Sequence, residues 1–144
     1  MSVALHYSFR KIDHNTLCDA DQIAEESVEQ VYLKFCDLIE FPEWMMRLRN
    51  LTHINISSNA IEDFPAHLCT LKNLNYLDIS DNRLTDLPPN LFELIQLRYL
   101  DLAGNFIEIM PTGESGSRKK WIKVNLSFFI FSDWKPQRFG TFKL

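Results

Sequence analysis

The stretch Leu51-Thr-His-Ile54-Asn-Ile56-Ser-Ser-Asn59 recurs twice along the chain, and the interval between successive copies is the same. Its copies are Leu74-Asn-Tyr-Leu77-Asp-Ile79-Ser-Asp-Asn82 and Leu97-Arg-Tyr-Leu100-Asp-Leu102-Ala-Gly-Asn105. A fixed period of about 20 to 50 residues is typical of repeat architectures, in which each unit buries its apolar face only against its neighbours. The period therefore decides the architecture before any local signal is considered.

The agreement runs through the whole period. Apolar residues stand two and five places after each asparagine, and a proline follows at the sixth place. Counting back one period from Leu51 reveals a further copy that begins at Val28. The repeats are thus predicted at 28–50, 51–73, 74–96 and, in part, 97–111. Across them we predict a structural ladder formed by Cys36, Asn59, Asn82 and Asn105.

The pattern LxxLxLxxNxLxxLPxxLxxLxx over residues 28–111 resembles the typical 23-residue intracellular class of the leucine-rich repeat family. Ras-suppressor proteins and regulatory leucine-rich subunits of phosphatases share this repeat type. The resemblance implies an α/β leucine-rich repeat solenoid, a right-handed superhelix of about four repeats with a parallel sheet on its concave face and a cap at each end. It also implies a binding module.

The residue types give the same local structure. The segment LxxLxL has apolar residues at alternating positions, which is typical of a strand with one face inward. The asparagine that follows can bond neighbouring backbone groups in a turn. The stretch Pro-x-x-Leu-x-x-Leu favours a short helix or a 3₁₀ turn on the convex side.

The two ends depart from the period. In residues 1–27, alternating apolar residues from Val3 to Phe9 predict a short strand, and Thr16 or Asp19 could begin a helix. We interpret this region as an N-terminal cap, with a docking peptide as the alternative. In residues 112–144, a loop is followed by an alternating strand pattern at 122–130. This tail is either a capping strand or a divergent, non-homologous tail.

Composition and the motifs that are missing exclude several classes of function. The net charge is −4 and no basic tail is evident, which argues against a nucleic acid partner. The sequence has no signal-peptide pattern, no apolar run that could span a membrane, and three widely spaced cysteines. We therefore expect an intracellular protein, in the cytoplasm or the nucleus. No phosphate-binding loop, catalytic motif or metal-ligand spacing is present, so we expect no enzyme, cofactor or small-molecule substrate.

The outward strand positions are the candidate binding surface. The third column of the repeat reads Gln30, His53, Tyr76 and Tyr99, the fifth reads Tyr32, Asn55, Asp78 and Asp101, and the seventh reads Lys34, Ser57, Ser80 and Ala103. Neighbouring strands lie about 4.8 Å apart, so each column forms a continuous row. The predicted protein-binding residues are Tyr32, His53, Asn55, Tyr76, Asp78, Tyr99 and Asp101. We hypothesise that the tyrosines and aspartates bind a basic segment of a partner protein. A merely solvated sheet face is the alternative.

Three function classes follow. The first is an intracellular adaptor or scaffold that binds a protein through the concave face. The second is a regulatory subunit in a phosphatase or small-GTPase signalling pathway. The third is a truncated isoform or structural fragment that lacks its partner site.

Overall fold

A computed structural model describes residues 3–9, 27–108 and 123–125, except for the side chains of Glu43, His67, Phe92 and residues 123–125. The strands are β1 (Val3–His6), β2 (Val28–Tyr32), β3 (His53–Asn55), β4 (Tyr76–Asp78), β5 (Tyr99–Asp101) and β6 (Lys123–Asn125). Short 3₁₀ helices follow β2, β3 and β4, at Glu43–Arg47, Ala66–Thr70 and Pro89–Glu93.

The strands form one parallel sheet in chain order. Leu77 on β4 lies between Ile54 on β3 and Leu100 on β5, so the register advances by one full period per strand. Each strand is short because most residues of a repeat form the turn and the 3₁₀ helix that lead to the next strand. This is the parallel sheet that the repeat pattern predicts.

The core lies between the sheet and the 3₁₀ helices. Every apolar column of the three full repeats is buried in a single cluster, together with Leu5 from β1. Leu77 and Leu84 illustrate the pattern, since one faces inward from a strand and the other from the turn after it, and neither is exposed. Burial of apolar surface contributes about 25 cal/mol per Å². The stacking of repeats is therefore the main stabilising term.

The Pro-x-x-Leu-x-x-Leu segments form 3₁₀ helices. Each helix is preceded by an extended proline: Pro42, Pro65 or Pro88. Proline fixes φ and supplies no N–H, so it suits the entry to a helical turn. Five residues are enough for the tighter 3₁₀ turn, in which side chains three apart lie on one side. That spacing directs Leu68 and Leu71 into the core.

The asparagine ladder is present in the structure. Asn82 donates hydrogen bonds from Nδ2 to the carbonyl oxygens of Ile56, Ile79 and Ser80, at 3.0, 3.1 and 3.0 Å. Its Oδ1 accepts a bond from the N–H of Ile61 at 3.1 Å. Asn59 and Asn105 make equivalent bonds. One side chain thus joins two consecutive turns.

Cys36 performs part of this role at the first position. Its Sγ donates to the carbonyl oxygens of Tyr7 at 3.2 Å and Lys34 at 3.6 Å. The Tyr7 bond reaches the preceding strand segment, as the Nδ2 groups of the asparagines do. A thiol has no counterpart to the amide oxygen, so Cys36 reproduces the donor half of the motif.

A left-handed residue recurs where each strand turns towards the ladder. These residues are Phe9, Phe35, Ser58, Asp81 and Gly104, with φ between 51° and 67°. Ser, Asp and Gly are small or turn-forming residues, and Asp and Gly in particular favour this conformation. A Cβ on Gly104 would collide with the carboxylate of Asp81 in the repeat before it.

The ends are described only in part. Strand β1 lies where a strand was expected at the N-terminus and pairs in parallel with β2, with an irregularity between Val3 and Ala4. Strand β6 pairs with β5 and lies within the strand predicted at 122–130. The helix predicted to begin at Thr16 or Asp19, the loop at 112–120 and residues 126–144 lie outside the described residues. The division into caps and repeats therefore stays a prediction. Within the described ranges, no helix has the length and hydropathy needed to cross a membrane.

Candidate functional site

The candidate site is the concave face, the side of the sheet turned away from the 3₁₀ helices. The observed register places Gln30, His53, Tyr76 and Tyr99 in one row. It places Tyr32, Asn55, Asp78 and Asp101 in the next. The structure thus brings together the side chains that the sequence predicts as neighbours.

The third column forms an aromatic stack. The rings of Tyr76 and Tyr99 are nearly parallel, with centroids 4.5 Å apart and 5° between their planes. His53 continues the stack, with its centroid 5.6 Å from that of Tyr76 and 20° between planes. This arrangement follows from the in-register parallel pairing, because the strand separation of about 4.8 Å is close to the distance between stacked rings. Faces that contact each other leave mainly ring edges and hydroxyl groups for a ligand.

On β3 and β4, the fifth-column residue ends the strand with the same turn. The Oδ1 of Asp78 accepts hydrogen bonds from the N–H and hydroxyl of Ser80, at 3.1 and 2.7 Å. Asn55 makes the same two contacts with Ser57, at 3.1 and 2.8 Å. These are side-chain to backbone turns of the type that Asn and Asp both form. Asn55 also donates to Asp78 Oδ2 at 2.9 Å, which links the two turns.

Asp101 is more enclosed than an outward position suggests. Only 8% of its surface is exposed. Its Oδ1 accepts a bond from the N–H of Ala103 at 3.0 Å, and its Oδ2 accepts one from the Tyr99 hydroxyl at 2.9 Å. Ser57 in the seventh column is also buried, at 1% exposed. Direct contact with a partner is therefore easier for Tyr76 and Asp78 than for these two residues.

Burial and neighbouring carboxylates shift the pKa values of both tyrosines and of Asp78. Burial raises the pKa of Tyr76, and the nearby carboxylates of Asp78 and Asp101 raise it further. The pKa of Tyr99 is raised by burial and by its hydrogen bond to Asp101. Burial also raises the pKa of Asp78, while the bonds from Ser80 oppose that shift. Burial thus disfavours charged forms at this surface, and the two carboxylates further disfavour negative charge on the tyrosines.

The N-terminal half of the face differs in chemistry. His6 of β1 stacks on Tyr32, with centroids 4.5 Å apart and 3° between planes. The hydroxyl of Tyr32 donates to Gln30 at 3.0 Å. The charge of Lys34, in the seventh column, opposes the rise in the pKa of Asp78. The sequence did not predict the contribution of His6, because β1 follows a different spacing from the repeats.

Metal binding finds little support on this face. In the parts of the chain that the structure describes, no group of three or more His, Cys, Asp or Glu side chains could hold a metal ion. The arrangement is instead a continuous surface of ring edges, hydroxyl groups and carboxylates on short strands of one sheet. Such a surface suits the recognition of an extended segment.

Comparisons with known proteins agree with this architecture. A family model described as leucine rich repeat matches residues 41–84, and one described as leucine rich repeats (2 copies) matches residues 72–111. Among solved structures, a leucine-rich repeat protein of Leptospira interrogans matches with a TM-score of 0.58 and 24% identity. The match covers 75% of this chain and 26% of that one, so this chain spans about a quarter of its length. No curated protein matched the sequence. The α/β solenoid predicted from the period is confirmed.

Proposed function

Because this chain belongs to the leucine-rich repeat family, whose domains generally mediate protein–protein interaction, we propose that it is a non-catalytic module that binds a basic segment of a partner on its concave face. The family is typically non-catalytic. The partner segment would lie across β3, β4 and β5, over the row of ring edges and the carboxylates beside it.

The pairing of Asp78 with Asp101 carries this proposal. The two residues are directly in register on neighbouring parallel strands. Like charges at such positions destabilise a sheet. Asn55 forms the same turn with Ser57 without any charge, so the turn does not require a carboxylate. The turn therefore needs only one oxygen, while the second oxygens of Asp78 and Asp101 accept bonds from Asn55 and Tyr99. A cationic ligand would offset the repulsion between the two carboxylates.

The ring stack limits how the cation binds. A cation–π contact needs an open ring face. The face of Tyr76 towards Tyr99 and its face towards His53 are both covered. A lysine or arginine of the partner would therefore reach carboxylate and hydroxyl oxygens, while its methylene groups lie along the ring edges.

A matched pair of double variants tests the charge. Asp78→Asn with Asp101→Asn removes two charges from the concave face and keeps one oxygen for each turn, while the new amide nitrogens no longer accept the bonds that Asn55 and Tyr99 donate. Asp63→Asn with Asp86→Asn removes two charges from exposed positions elsewhere. We expect a fluorescein-labelled Arg- and Lys-rich peptide to bind the first variant about tenfold more weakly than wild type, and the control within about twofold. Equal weakening in both variants, or none in either, would refute the proposal.

The tyrosine stack provides a second test of the same surface. Tyr76→Ala removes the central ring, whereas Tyr76→Phe retains the stack and removes only the hydroxyl group. We expect the peptide to lose most of its affinity for the Ala variant and little for the Phe variant. Unchanged affinity for Tyr76→Ala would show that the ring row is not part of the contact surface.

We also propose that the module acts inside the cell. Cys69 carries a buried, free thiol, which suits a reducing compartment. Fractionation of cells expressing the tagged chain tests the location, and recovery in the secretory pathway would contradict it. Mass spectrometry of co-purified proteins tests the pathway, because a phosphatase or small GTPase lost with the Asp78→Asn and Asp101→Asn variant would favour a regulatory subunit.

A further inference from the structure

Two phenylalanines hold a backbone conformation that suits other residue types. Phe9 has φ 65° and Phe35 has φ 56°. The equivalent positions of the later repeats are Ser58, Asp81 and Gly104. A bulky side chain at positive φ is an unfavourable exception, and such strain tends to persist at functional sites.

Burial does not compensate for this strain. Phe9 is 75% exposed and Phe35 is 49% exposed. The two rings stack on each other, with centroids 5.1 Å apart and 23° between their planes. They therefore form a small apolar platform on the surface, at the end of the sheet formed by β1 and β2.

A positive charge lies at this platform. The Nζ of Lys34 is 5.2 Å from the centroid of the Phe35 ring. Lys34 occupies the seventh column on the β2 side, while Asp78 and Asp101 lie on β4 and β5. The Lys34 ammonium therefore lies beside the two phenylalanine rings, while its charge still opposes the rise in the pKa of Asp78.

We propose that Phe9, Phe35 and Lys34 form a second docking surface, which binds a partner segment carrying an apolar side chain next to a carboxylate. The apolar side chain would cover the exposed rings, because removing apolar area from water is favourable. The carboxylate would pair with the Lys34 ammonium at the edge of the platform. This surface selects the charge opposite to that selected at Asp78 and Asp101.

The strained backbone at Phe35 allows an experiment to distinguish a binding role of the two rings from a stabilising role. Asparagine adopts positive φ readily, so Phe35→Asn relieves the backbone while it removes half of the platform. If the rings were retained for stability, this variant would unfold at a lower temperature. If they are retained for binding, the variant keeps or gains thermal stability and loses affinity.

The probe is a short fluorescein-labelled peptide of alternating Leu and Glu, measured by fluorescence anisotropy, with a Leu and Lys peptide for comparison. We expect saturable binding of the Leu and Glu peptide to wild type, and about tenfold weaker binding to Phe35→Asn. Ile95→Asn is the matched control, since Ile95 is an exposed apolar residue at a distant site. It should bind like wild type.

Charge reversal provides an independent variant. Lys34→Glu should weaken the Leu and Glu peptide and strengthen the Leu and Lys peptide. The proposal is overturned if wild type shows no saturable binding of the Leu and Glu peptide, or if Phe35→Asn and Lys34→Glu leave its affinity unchanged. A dimer in size-exclusion chromatography that Phe35→Asn converts to a monomer would instead identify a second copy as the occupant, and would also overturn it.

Discussion

The side-chain oxygen of Asn82 accepts a hydrogen bond from the backbone N–H of Ile61, in the preceding repeat, at 3.1 Å. The same side chain donates three bonds to carbonyl oxygens, and Asn82 is buried. Removing it leaves the N–H of Ile61 without its acceptor, which is more costly than the loss of a bond alone. The three carbonyl oxygens each lose one donor and keep another, from Asn59, Asn105 or Ser58.

Asn82→Ala should therefore lower the free energy of unfolding by about 3 kcal/mol, measured by urea denaturation. Asn90→Ala is the control, because Asn90 makes an exposed bond to Ala66 at 3.4 Å. The control should change stability by less than about 0.5 kcal/mol. Similar losses in the two variants would show that the ladder contributes no more than a surface asparagine.

Gly104→Ala should destabilise the protein by about 2 kcal/mol. Its φ of 67° disfavours a side chain, and the new Cβ would collide with Asp81 Oδ1. Asp81→Ala in the same chain removes the carboxylate, so the double variant should recover the steric part of the loss and retain the backbone part. Thermal unfolding of the two single variants and the double variant measures this coupling. Strictly additive changes would contradict the predicted contact.

Tyr99 should make stability fall at high pH. Burial and the bond to Asp101 raise its pKa above the ordinary value of 10.0, so the folded protein retains a proton that the unfolded chain releases. The free energy of unfolding is therefore unaffected below about pH 10 by this group and decreases as the pH rises further. Denaturation across that range should show a shallower decrease in Tyr99→Phe. Spectrophotometric titration should lose its latest tyrosinate transition in that variant, and an unchanged titration curve would contradict the assignment.

Cys69 should react slowly while the protein is folded. Burial, followed by the charge of Glu93, raises the pKa of its thiol from 9.0 to about 11, although Lys72 partly opposes the shift. At pH 8 the thiolate fraction falls by about a hundredfold relative to an ordinary thiol, and burial slows access further. Alkylation by iodoacetamide, quantified at Cys69 by mass spectrometry, should be at least that much slower without urea than with it. Comparable rates would place this thiol at the surface.

The repeat period made most of the sheet predictable. One constant interval aligns the columns of β2, β3, β4 and β5, and the structure has the same register. A slip of one residue between stacked strands would turn Ile54, Leu77 or Leu100 away from the core side. The constant interval also predicted the positions of the ladder residues, including Cys36 at the first position.

The pairing of the outer strands, β1 and β6, was harder to predict because their spacing differs from the repeat period. Leu5 pairs with Val31, and Leu100 pairs with Val124, and in both pairs the partners stand further apart along the chain than one repeat period. The alternating patterns predicted strands at both places but gave no partner for them. In hindsight the apolar positions Trp121, Val124 and Leu126 have the spacing of LxxLxL, shifted by a single position from the period of the repeats.

The details of the candidate site depended on side-chain bonds that no pattern reveals. The burial of Asp101 follows from its contacts with Tyr99 and Ala103. The aromatic platform was concealed because Phe35 stands in a column whose later members are Ser58, Asp81 and Gly104. The repeat period aligns these residues, but their chemical types have little in common, and the left-handed backbone angle that they share is visible only in the structure.

The hydrogen bonds of the ladder run from each asparagine back to the preceding turn, and this direction determines where one structural module ends and the next begins. The amide oxygen of Asn82 accepts a hydrogen bond from the N–H of Ile61, and that of Asn105 accepts one from the N–H of Leu84. Each asparagine therefore completes the turn that precedes it. A segment cut in front of a strand, such as 51–73, would lack the acceptor for its own turn. A segment from 60 to 82 contains both partners. For recombination or engineered duplication, the cassette that keeps Asn82 together with Ile61 is therefore the stretch that ends on an asparagine, and the bond from Asn82 to Ile56 then joins it to the cassette before.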